Sequence, residues 1–370
     1  MSATTAAVVE DAGGAFELQQ LELDAPRPGE VLVEIAAAGI CHTDIVIRDG
    51  ALPIVFPGVF GHEAVGRVVE TGSSESPFNA GDRVALSFAS CGNCERCLHG
   101  HAATCTSWMG LNMMGARLDG STAFSRNGDS VHSHFFGQSS FATRSVVLES
   151  SLVHVPDDVP DEIAAILGCG VQTGAGAVMN VFRPPPGSSI AVFGAGTVGL
   201  SAVMAAVIVG CGRIIAVDLH QSRLDLASEL GATDVIRAGD GVDVTAAIFE
   251  LTGMGVDYVV ETTGAPAVLP VAVYSSGIGG TVGLIGAAPP GTELGVDVAA
   301  IMSLTKTVRG IMEGDAVPRT FIPQLIEHWR RGRLPLERLV KTFPFEQIND
   351  AVAASLSGEV IKPVLVMDGA

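Results

Sequence analysis

The chain has 370 residues, 48% of them hydrophobic, and a formal net charge of −19 at pH 7. This length predicts two domains with sizeable cores, and the negative charge argues against nucleic acid or an anionic membrane surface as a partner. We expect a cytoplasmic protein, because residues 1–10 do not resemble a signal peptide and the longest apolar run, 198–209, is shorter than the ~20 residues that cross a bilayer.

Short segments that alternate between apolar and polar residues occupy the chain before residue 170. Two of them are 30–35 and 67–70, and Pro-Gly and Gly-Asp turns separate such segments. Alternation with a period of two and frequent turns are typical of an irregular, mostly β domain. We predict such a domain over residues 1–169.

Four cysteines lie close together within this first part, in a lobe at about residues 88–110. They are spaced C-x2-C-x2-C-x7-C, and they are Cys91, Cys94, Cys97 and Cys105. Four thiolates with no water form a closed, structural zinc site. Disulfides and an iron–sulfur cluster are the alternatives. The odd total of seven cysteines argues against disulfides, and the spacing lacks the usual ferredoxin runs, so structural zinc is favoured.

Two of the three remaining cysteines point to a second metal site. Cys41 and Cys169, together with His62, would give two thiolates and an imidazole with one position left open, a pattern typical of catalytic zinc. A lone buried cysteine or histidine is more often an ordinary core residue. The prediction therefore depends on the combination, and Cys211 is left as a packing residue.

Regular alternation of apolar runs and helical stretches begins after residue 170. The runs lie at 190–193, 214–217, 258–260 and 281–285, and 222–230 is one of the helical stretches between them. Such alternation predicts a parallel sheet built from βαβ units. After residue 312 the pattern becomes mixed, with an amphipathic helix around 321–331 and a closing strand at 364–367.

A glycine-rich turn, G-A-G-T-V-G, lies between the predicted strand at 190–193 and an apolar helix at 200–209. This is the context that a dinucleotide-binding turn requires, because its glycines allow the backbone to approach a pyrophosphate at a helix N-terminus. Asp218 ends the next strand, where a carboxylate would bind ribose hydroxyls and repel a 2′-phosphate, so NAD is favoured over NADP. The alternative is that Asp218 serves only as a helix cap. The predicted cofactor residues are Gly194, Gly196, Thr197, Val198, Gly199, Asp218 and Ile285.

These motifs together resemble the zinc-dependent medium-chain alcohol dehydrogenases, over nearly the whole chain. The shared motifs are G-H-E-x-x-G at 61–66, the cysteine lobe and the glycine-rich turn. Within that family, segments 41–49 and 118–121 are most similar to the aryl-alcohol (benzyl-alcohol) dehydrogenase branch. The resemblance implies an α/β fold: a Rossmann domain with a doubly wound parallel sheet at 170–312, plus a mostly β GroES-like catalytic domain at 1–169 that continues at 313–370.

The resemblance also implies cofactors and roles at the metal sites. It implies NAD and two zinc ions per chain, with Cys41, His62 and Cys169 as the catalytic ligands and the cysteine lobe as the structural site. Asp44 would orient the imidazole of His62. Glu63 would approach the metal during ligand exchange.

Further roles concern the proton and the cofactor. Thr43 would bind the hydroxyl of the alcohol, and His42 would lie beside the cofactor pyrophosphate. Arg223 and Lys362 would be additional phosphate or adenosine contacts. Many family members carry a relay histidine where this chain has Val46, so the proton must leave through the cofactor ribose, water or His42.

The activity implied is hydride transfer from a zinc-bound alkoxide, which would interconvert primary aromatic or allylic alcohols and aldehydes. The predicted pocket residues, each with ordinary core packing as the alternative, are Phe88, Trp108, Phe135, Phe136, Leu52 and Met312. A glutathione-dependent formaldehyde dehydrogenase is a second candidate, although its substrate needs a cationic residue in the pocket. A non-catalytic protein that binds zinc and dinucleotide is a third. The expected partners are a small alcohol or aldehyde and further copies of the chain, in a homodimer or homotetramer.

Overall fold

The computed structural model describes residues 2–51, 54–239 and 241–367, and the chain divides into two compact units. The first consists of Met1–Cys169, Val317–Glu327 and Leu336–Ala370, and the second of Gly170–Ala316 and His328–Pro335. The boundary after Cys169 lies where the sequence pattern changes from short alternating segments to alternating apolar runs and helical stretches. The predicted return at residue 313 falls inside the second unit, which continues to Ala316.

Two sheets build the first unit. Its strands are β1 (Ser2–Val9), β2 (Glu17–Leu23), β3 (Glu30–Gly39), β4 (Gly58–Val59), β5 (Ala64–Thr71), β6 (Arg83–Leu86), β7 (Phe124–Arg126), β8 (Asp129–Val131), β9 (Arg144–Leu148) and β10 (Leu152–His154), and, after the second unit's strands, β17 (Val340–Pro344) and β18 (Lys362–Val366). One sheet has the order β4-β1-β2-β7-β8. The other has the order β10-β6-β5-β3-β18-β17, with β9 also paired to β3.

β3 is central in the larger sheet and explains where the core lies. It pairs antiparallel with β5, β9 and β18, and eight of its ten residues are buried. A strand covered on both faces needs apolar residues at nearly every position, which its sequence EVLVEIAAAG supplies. The catalytic candidates that follow β3 are therefore attached to a strand that is covered on both faces.

The second unit has one parallel sheet in the order β13-β12-β11-β14-β15-β16. Its strands are β11 (Ser189–Phe193), β12 (Arg213–Asp218), β13 (Asp234–Arg237), β14 (Val256–Glu261), β15 (Ser276–Leu284) and β16 (Thr307–Gly310). The chain runs outward from β11 to β13 and then returns to the other side at β14. Such a reversal leaves a crevice at the carboxyl ends of the two central strands, where doubly wound sheets bind their ligands. The predicted doubly wound domain is confirmed.

Helices connect these strands. They are α1 (His42–Arg48), α2 (Glu95–Leu98), α3 (Trp108–Asn112), α4 (Asp161–Ala165), α5 (Gly170–Gly176), α6 (Thr197–Val209), α7 (Gln221–Glu229), α8 (Val244–Thr252), α9 (Val268–Ser275), α10 (Val298–Ser303), α11 (Pro318–Arg330) and α12 (Ile348–Leu356). In the described part of the chain, no single helix is long and apolar enough to cross a membrane. One pair that is broken at Cys169 reaches the required length and composition only when its two parts are added together.

Candidate functional site

The four cysteines of the lobe converge as their spacing predicts. Their sulfurs lie within 4.8 Å of one another, with Cys91 and Cys97 4.0 Å apart and Cys94 and Cys105 also 4.0 Å apart. Tetrahedral ligands about 2.3 Å from zinc would be separated by about 3.8 Å. Backbone N–H groups also donate to these sulfurs, for example from Cys94 to Cys91 at 3.4 Å, which favours thiolates. The residues fit a structural zinc ion.

A second group of ligand atoms lies in the first unit, again within 4.8 Å of one another: those of Cys41, His62, Glu63 and Cys169. Cys41 lies between β3 and α1, and His62 and Glu63 lie between β4 and β5. The pKa of the Cys41 thiol is held well below its usual value, mainly by the Cys169 side chain and then by His62, although burial opposes this shift. The thiolate form is the one that binds metal.

The imidazole of His62 is oriented by Asp44. Asp44 Oδ1 lies 2.8 Å from His62 Nδ1, and both side chains are completely buried. A carboxylate accepts the Nδ1 proton, so the lone pair is on Nε2. Nε2 is buried and has no hydrogen-bond partner among the described residues. A buried acceptor left open beside two thiols is what a metal ligand requires, so this group also fits zinc.

Asp44 is itself fixed by the start of α1. Its Oδ2 accepts the backbone N–H of Cys41 at 2.9 Å, in the reciprocal arrangement of a capping box. Its Oδ1 also accepts the N–H of Gly61 at 3.1 Å. One carboxylate therefore holds the helix that follows Cys41 and the turn that precedes His62.

The structure gives Lys362 different contacts from those predicted. Its amino group is buried and donates to Glu63 Oε1 at 2.6 Å and to the carbonyl of Ile40 at 3.1 Å, both in the first unit. Burial raises the pKa of Glu63 to about 7, and the positive charge of Lys362 opposes that rise. Lys362 thus neutralises Glu63 beside the metal ligands. Its predicted contact with a cofactor phosphate or adenosine stays a prediction.

An aromatic group covers His62 and is called the aromatic wall below; it consists of Phe60, Trp108, Phe135 and Phe136. Phe136 stacks on the imidazole with ring centroids 4.4 Å apart, and Phe135 meets it edge-on at 5.6 Å. Trp108 packs against Phe136, and Phe60 against Phe135. Three of the four were predicted as pocket residues. Phe60 was missed, although it directly precedes the G-H-E motif.

Other predicted pocket residues are not brought to His62 by any described contact. Phe88 is 1% exposed and belongs to the main apolar core, as do the four residues of the aromatic wall, so its place in a pocket stays a prediction. Met312 lies in the second unit and is 46% exposed. Leu52 is outside the described residues.

The predicted proton-handling residues lie on the first turn of α1. Thr43 Oγ1 is 3.7 Å from Cys41 Sγ, whereas the side chain of His42 is exposed. Val46 is partly buried on the same helix. The structure therefore places the Thr43 hydroxyl beside the metal ligands, on the same helix as Asp44.

Gln138 is a further residue that the sequence did not reveal. Its amide nitrogen donates to the backbone carbonyls of His62 and Ser87, at 3.0 and 2.9 Å. This side chain thereby joins the segment between β4 and β5 that carries His62 to the start of the cysteine lobe. A lone glutamine in a serine-rich segment carries no signal that would have identified it.

The glycine-rich turn joins β11 to α6 as predicted. Gly194 has a φ of +91°, which favours glycine, and a Cβ at Gly199 would lie 1.8 Å from the carbonyl oxygen of Gly194. Nothing lies within 4 Å of a Cβ at Gly196, so its backbone is open to a ligand. Thr197 and Val198 then form the first turn of α6, where N–H groups point outward.

Asp218 ends β12 and holds this turn. Its Oδ2 accepts the N–H of Ala195 at 2.7 Å, and its Oδ1 accepts that of His220 at 2.8 Å. His220, not Asp218, is the N-cap of α7, so the helix-cap alternative is not what the structure shows. Arg223 lies 3.9 Å from Asp218. Ile285 directly follows β15, and its N–H donates to the carbonyl of Glu261 at the end of β14.

Comparison with known proteins gives consistent similarities over both units. The family described as "Zinc-binding dehydrogenase" matches residues 197–329, and "Alcohol dehydrogenase GroES-like domain" matches residues 27–157. The chain is 43% identical to geraniol dehydrogenase of Castellaniella defragrans, over 98% of this chain and 97% of that protein. It is 35% identical to S-(hydroxymethyl)glutathione dehydrogenase of Escherichia coli, over 97% of this chain and 98% of that protein.

Two solved structures are similar throughout. Benzyl alcohol dehydrogenase of Acinetobacter calcoaceticus superposes with a TM-score of 0.95 at 41% identity, covering 99% of this chain and 100% of that one. An alcohol dehydrogenase zinc-binding domain protein of Burkholderia ambifaria superposes with a TM-score of 0.95 at 49% identity, covering 99% of both chains.

Proposed function

Because the chain belongs to the zinc-binding alcohol dehydrogenase family, we propose that it interconverts primary aromatic or allylic alcohols and their aldehydes with NAD. The zinc predicted from the sequence is the metal of this family, and both ligand groups fit it. The observation that carries the substrate proposal is the aromatic wall, because it packs directly on the ligand imidazole of His62.

When bound, zinc supplies a Lewis acid at the Cys41 group and the dinucleotide accepts a hydride. The chain's own side chains orient the metal ligand His62, balance the charge beside it and hold the proton of the alcohol. Asp44 keeps the His62 lone pair on Nε2, and Lys362 balances the charge of Glu63. The Thr43 hydroxyl both donates and accepts hydrogen bonds, so it holds the alcohol proton at Oγ1. Val46 cannot pass that proton on, which leaves the cofactor ribose, water or His42.

The preference for NAD over NADP depends on Asp218. Its side chain is 6% exposed and lies at the end of β12, and its two oxygens already hold the backbone of the turn. A 2′-phosphate there would place two anionic groups together at a site of low dielectric, which is costly. Arg223 lies 3.9 Å from this carboxylate, which partly offsets its positive charge, and its contact with the cofactor stays a prediction.

The aromatic wall favours a planar or unsaturated substrate. Apolar and aromatic side chains with a few polar groups are typical of pockets for small apolar ligands. The names of two relatives support the same class, since geraniol is an allylic alcohol and benzyl alcohol an aromatic one. The competing candidate is a glutathione adduct of formaldehyde, which the name of another relative suggests.

NAD⁺ reduction by the zinc-replete protein tests these candidates. We expect kcat/KM for geraniol, cinnamyl alcohol and benzyl alcohol to exceed that for ethanol by at least about 100-fold, because burying about three or four more CH₂ equivalents at about 0.8 kcal/mol each contributes about 2.7 kcal/mol. Cys41→Ser is the matched inactive control. Preference for formaldehyde plus glutathione would support the competing candidate. No NADH with any alcohol would support a non-catalytic zinc and dinucleotide protein.

We also propose that the protein forms a homodimer or homotetramer through the β16 edge of the second unit. β16 is the last strand of its sheet, and β15 and α10, the elements that precede it in the chain, carry three largely exposed apolar side chains: Ile278, Val298 and Met302, at 71, 75 and 72%. An open strand edge with apolar surroundings is suited to pairing with a second copy. Light scattering of Val298→Glu/Met302→Glu should then give the 37.9 kDa monomer, whereas an unchanged assembly would contradict this interface. The cytoplasmic location stays a prediction.

A further inference from the structure

The imidazole of His62 is held by more than its hydrogen bond to Asp44. That bond fixes Nδ1 and the tautomer, but one hydrogen bond leaves the ring free to tilt about it. Phe136 lies face to face with the imidazole, with 4.4 Å between centroids and 25° between the planes. Face contact restrains the remaining tilt, which determines where the Nε2 lone pair points.

Phe136 is placed by an unusual backbone. Its φ is +54°, and His134 and Ser139 in the same segment have φ values of +63° and +56°. Non-glycine residues in this region are strained, and such strain persists where the surroundings fix the conformation and clusters at functional sites. An extended backbone would direct the Phe136 side chain elsewhere, so the conformation and the contact with His62 belong together.

Trp108 supports the other side of this contact. Its ring meets that of Phe136 edge-on, at 5.7 Å and 87°, and it is 9% exposed. Trp108 begins α3, and its backbone N–H donates to the carbonyl of Cys105 at 3.0 Å. A continuous series of contacts therefore runs from a cysteine of the structural lobe to the imidazole of the catalytic group.

We propose that Phe136 is a positioning residue that fixes the plane of the His62 imidazole for the catalytic metal, and that Trp108 holds Phe136 in place from the cysteine lobe. The lobe thus supports metal binding at the other site, besides its own stability. This inference assumes the catalytic zinc of the proposed function. Its test therefore measures metal release in the absence of alcohol and NAD, not turnover.

The test compares the rates at which the wild type and the variants release zinc to a chromogenic chelator. Groups that orient a metal-binding histidine change metal affinity by about 10–100-fold, so Phe136→Leu should release one of its two zinc ions about 10-fold faster than the wild type. Phe124→Leu is the matched control, since Phe124 is 1% exposed in the same core and, among the described residues, its ring stacks on no residue of either metal group. Phe136→Met serves as a second variant in case the first folds poorly.

Trp108 provides an independent arm. Trp108→Leu should accelerate release of the same zinc ion, Trp108→Phe should restore slow release, and the effects of Trp108→Leu and Phe136→Leu should be less than additive. Wild-type release rates in Phe136→Leu and Phe136→Met, or equal acceleration in Phe124→Leu, would overturn the proposal. A wild-type protein that binds one zinc ion would overturn the proposed function as well, so the two failures are distinguishable.

Discussion

Glu30, at the start of β3, is the centre of a buried ion-pair cluster whose loss we expect to be costly. Arg117 donates Nε to Oε1 at 2.6 Å and Nη2 to Oε2 at 3.0 Å, and the backbone N–H of Arg27 donates to Oε2 at 2.9 Å. His134 Nε2 lies 3.3 Å from Oε1. The Arg117 and Glu30 side chains are 6% and 5% exposed. Glu30→Gln keeps the shape but leaves Arg117 with Asp24, which is 41% exposed.

Two arguments give the same magnitude for the loss of stability in Glu30→Gln. Removing one partner of a buried ion pair costs about 3–5 kcal/mol. Burial alone would raise the pKa of Glu30, but the hydrogen bonds from His134 and Arg117 lower it from 4.5 to about 2. A depression of that size corresponds to about 3 kcal/mol at neutral pH. We therefore expect Glu30→Gln to reduce the free energy of unfolding of the first unit by about 3 kcal/mol at pH 7.

The sign of the pH dependence follows from the depressed pKa. The stabilisation by Glu30 is complete above its unfolded value of 4.5 and is lost as the pH falls toward the folded value of about 2. The difference in stability between the wild type and Glu30→Gln should therefore narrow over this interval.

Urea unfolding monitored by Trp108 fluorescence is the assay, in a Trp329→Phe background because Trp329 belongs to the second unit. The control is Glu359→Gln, since Glu359 pairs with Lys341 at 2.9 Å but both side chains are more than half exposed. We expect a cost below about 1 kcal/mol for this surface pair. A cost for Glu30→Gln no larger than that of the control would refute the reasoning.

Three further variants test the sites. Asp218→Ala should weaken NAD⁺ binding and raise the use of NADP⁺ relative to NAD⁺; an unchanged ratio of the two kcat/KM values would contradict the role of this carboxylate. Cys97→Ala should lower the metal content from two zinc ions to one and reduce the melting temperature, because a structural zinc ion contributes directly to folding; retention of both ions would contradict the site. Val46→His should alter the pH dependence of alcohol oxidation, and an unchanged profile would count against a truncated relay.

Periodicity predicted the second unit better than the first, for a physical reason. The strands β11 and β12 are continuous apolar runs, because a parallel sheet covered on both faces requires them. β15 extends from Ser276, well before the predicted run at 281–285, since its first residues are mostly glycine and serine and carry no hydrophobic pattern. β1 is similar: alanine and threonine fill a strand whose pairing with β2 and β4 fixes it.

At the metal sites, the ligands could be predicted because cysteine is rare and its spacing is informative. The contacts that orient the ligands could not. Lys362 lies 299 residues from Glu63, so no local pattern relates them. The stacking of Phe136 on His62 depends on a positive φ at Phe136, which the sequence H-F-F-G does not predict.

The late position of β18 has a consequence for biosynthesis. All the metal ligands of the first unit have been synthesised once residue 169 has been added. Lys362, whose charge balances Glu63, is synthesised only after the whole parallel sheet. Domains tend to fold as they emerge, so the second unit can form while the first still lacks both β18 and β17, the two strands beyond β3 in its larger sheet. Joining segments so distant in the chain costs loop entropy. We therefore expect a nascent chain to complete the parallel sheet of its second unit before the surroundings of the catalytic metal group in its first unit.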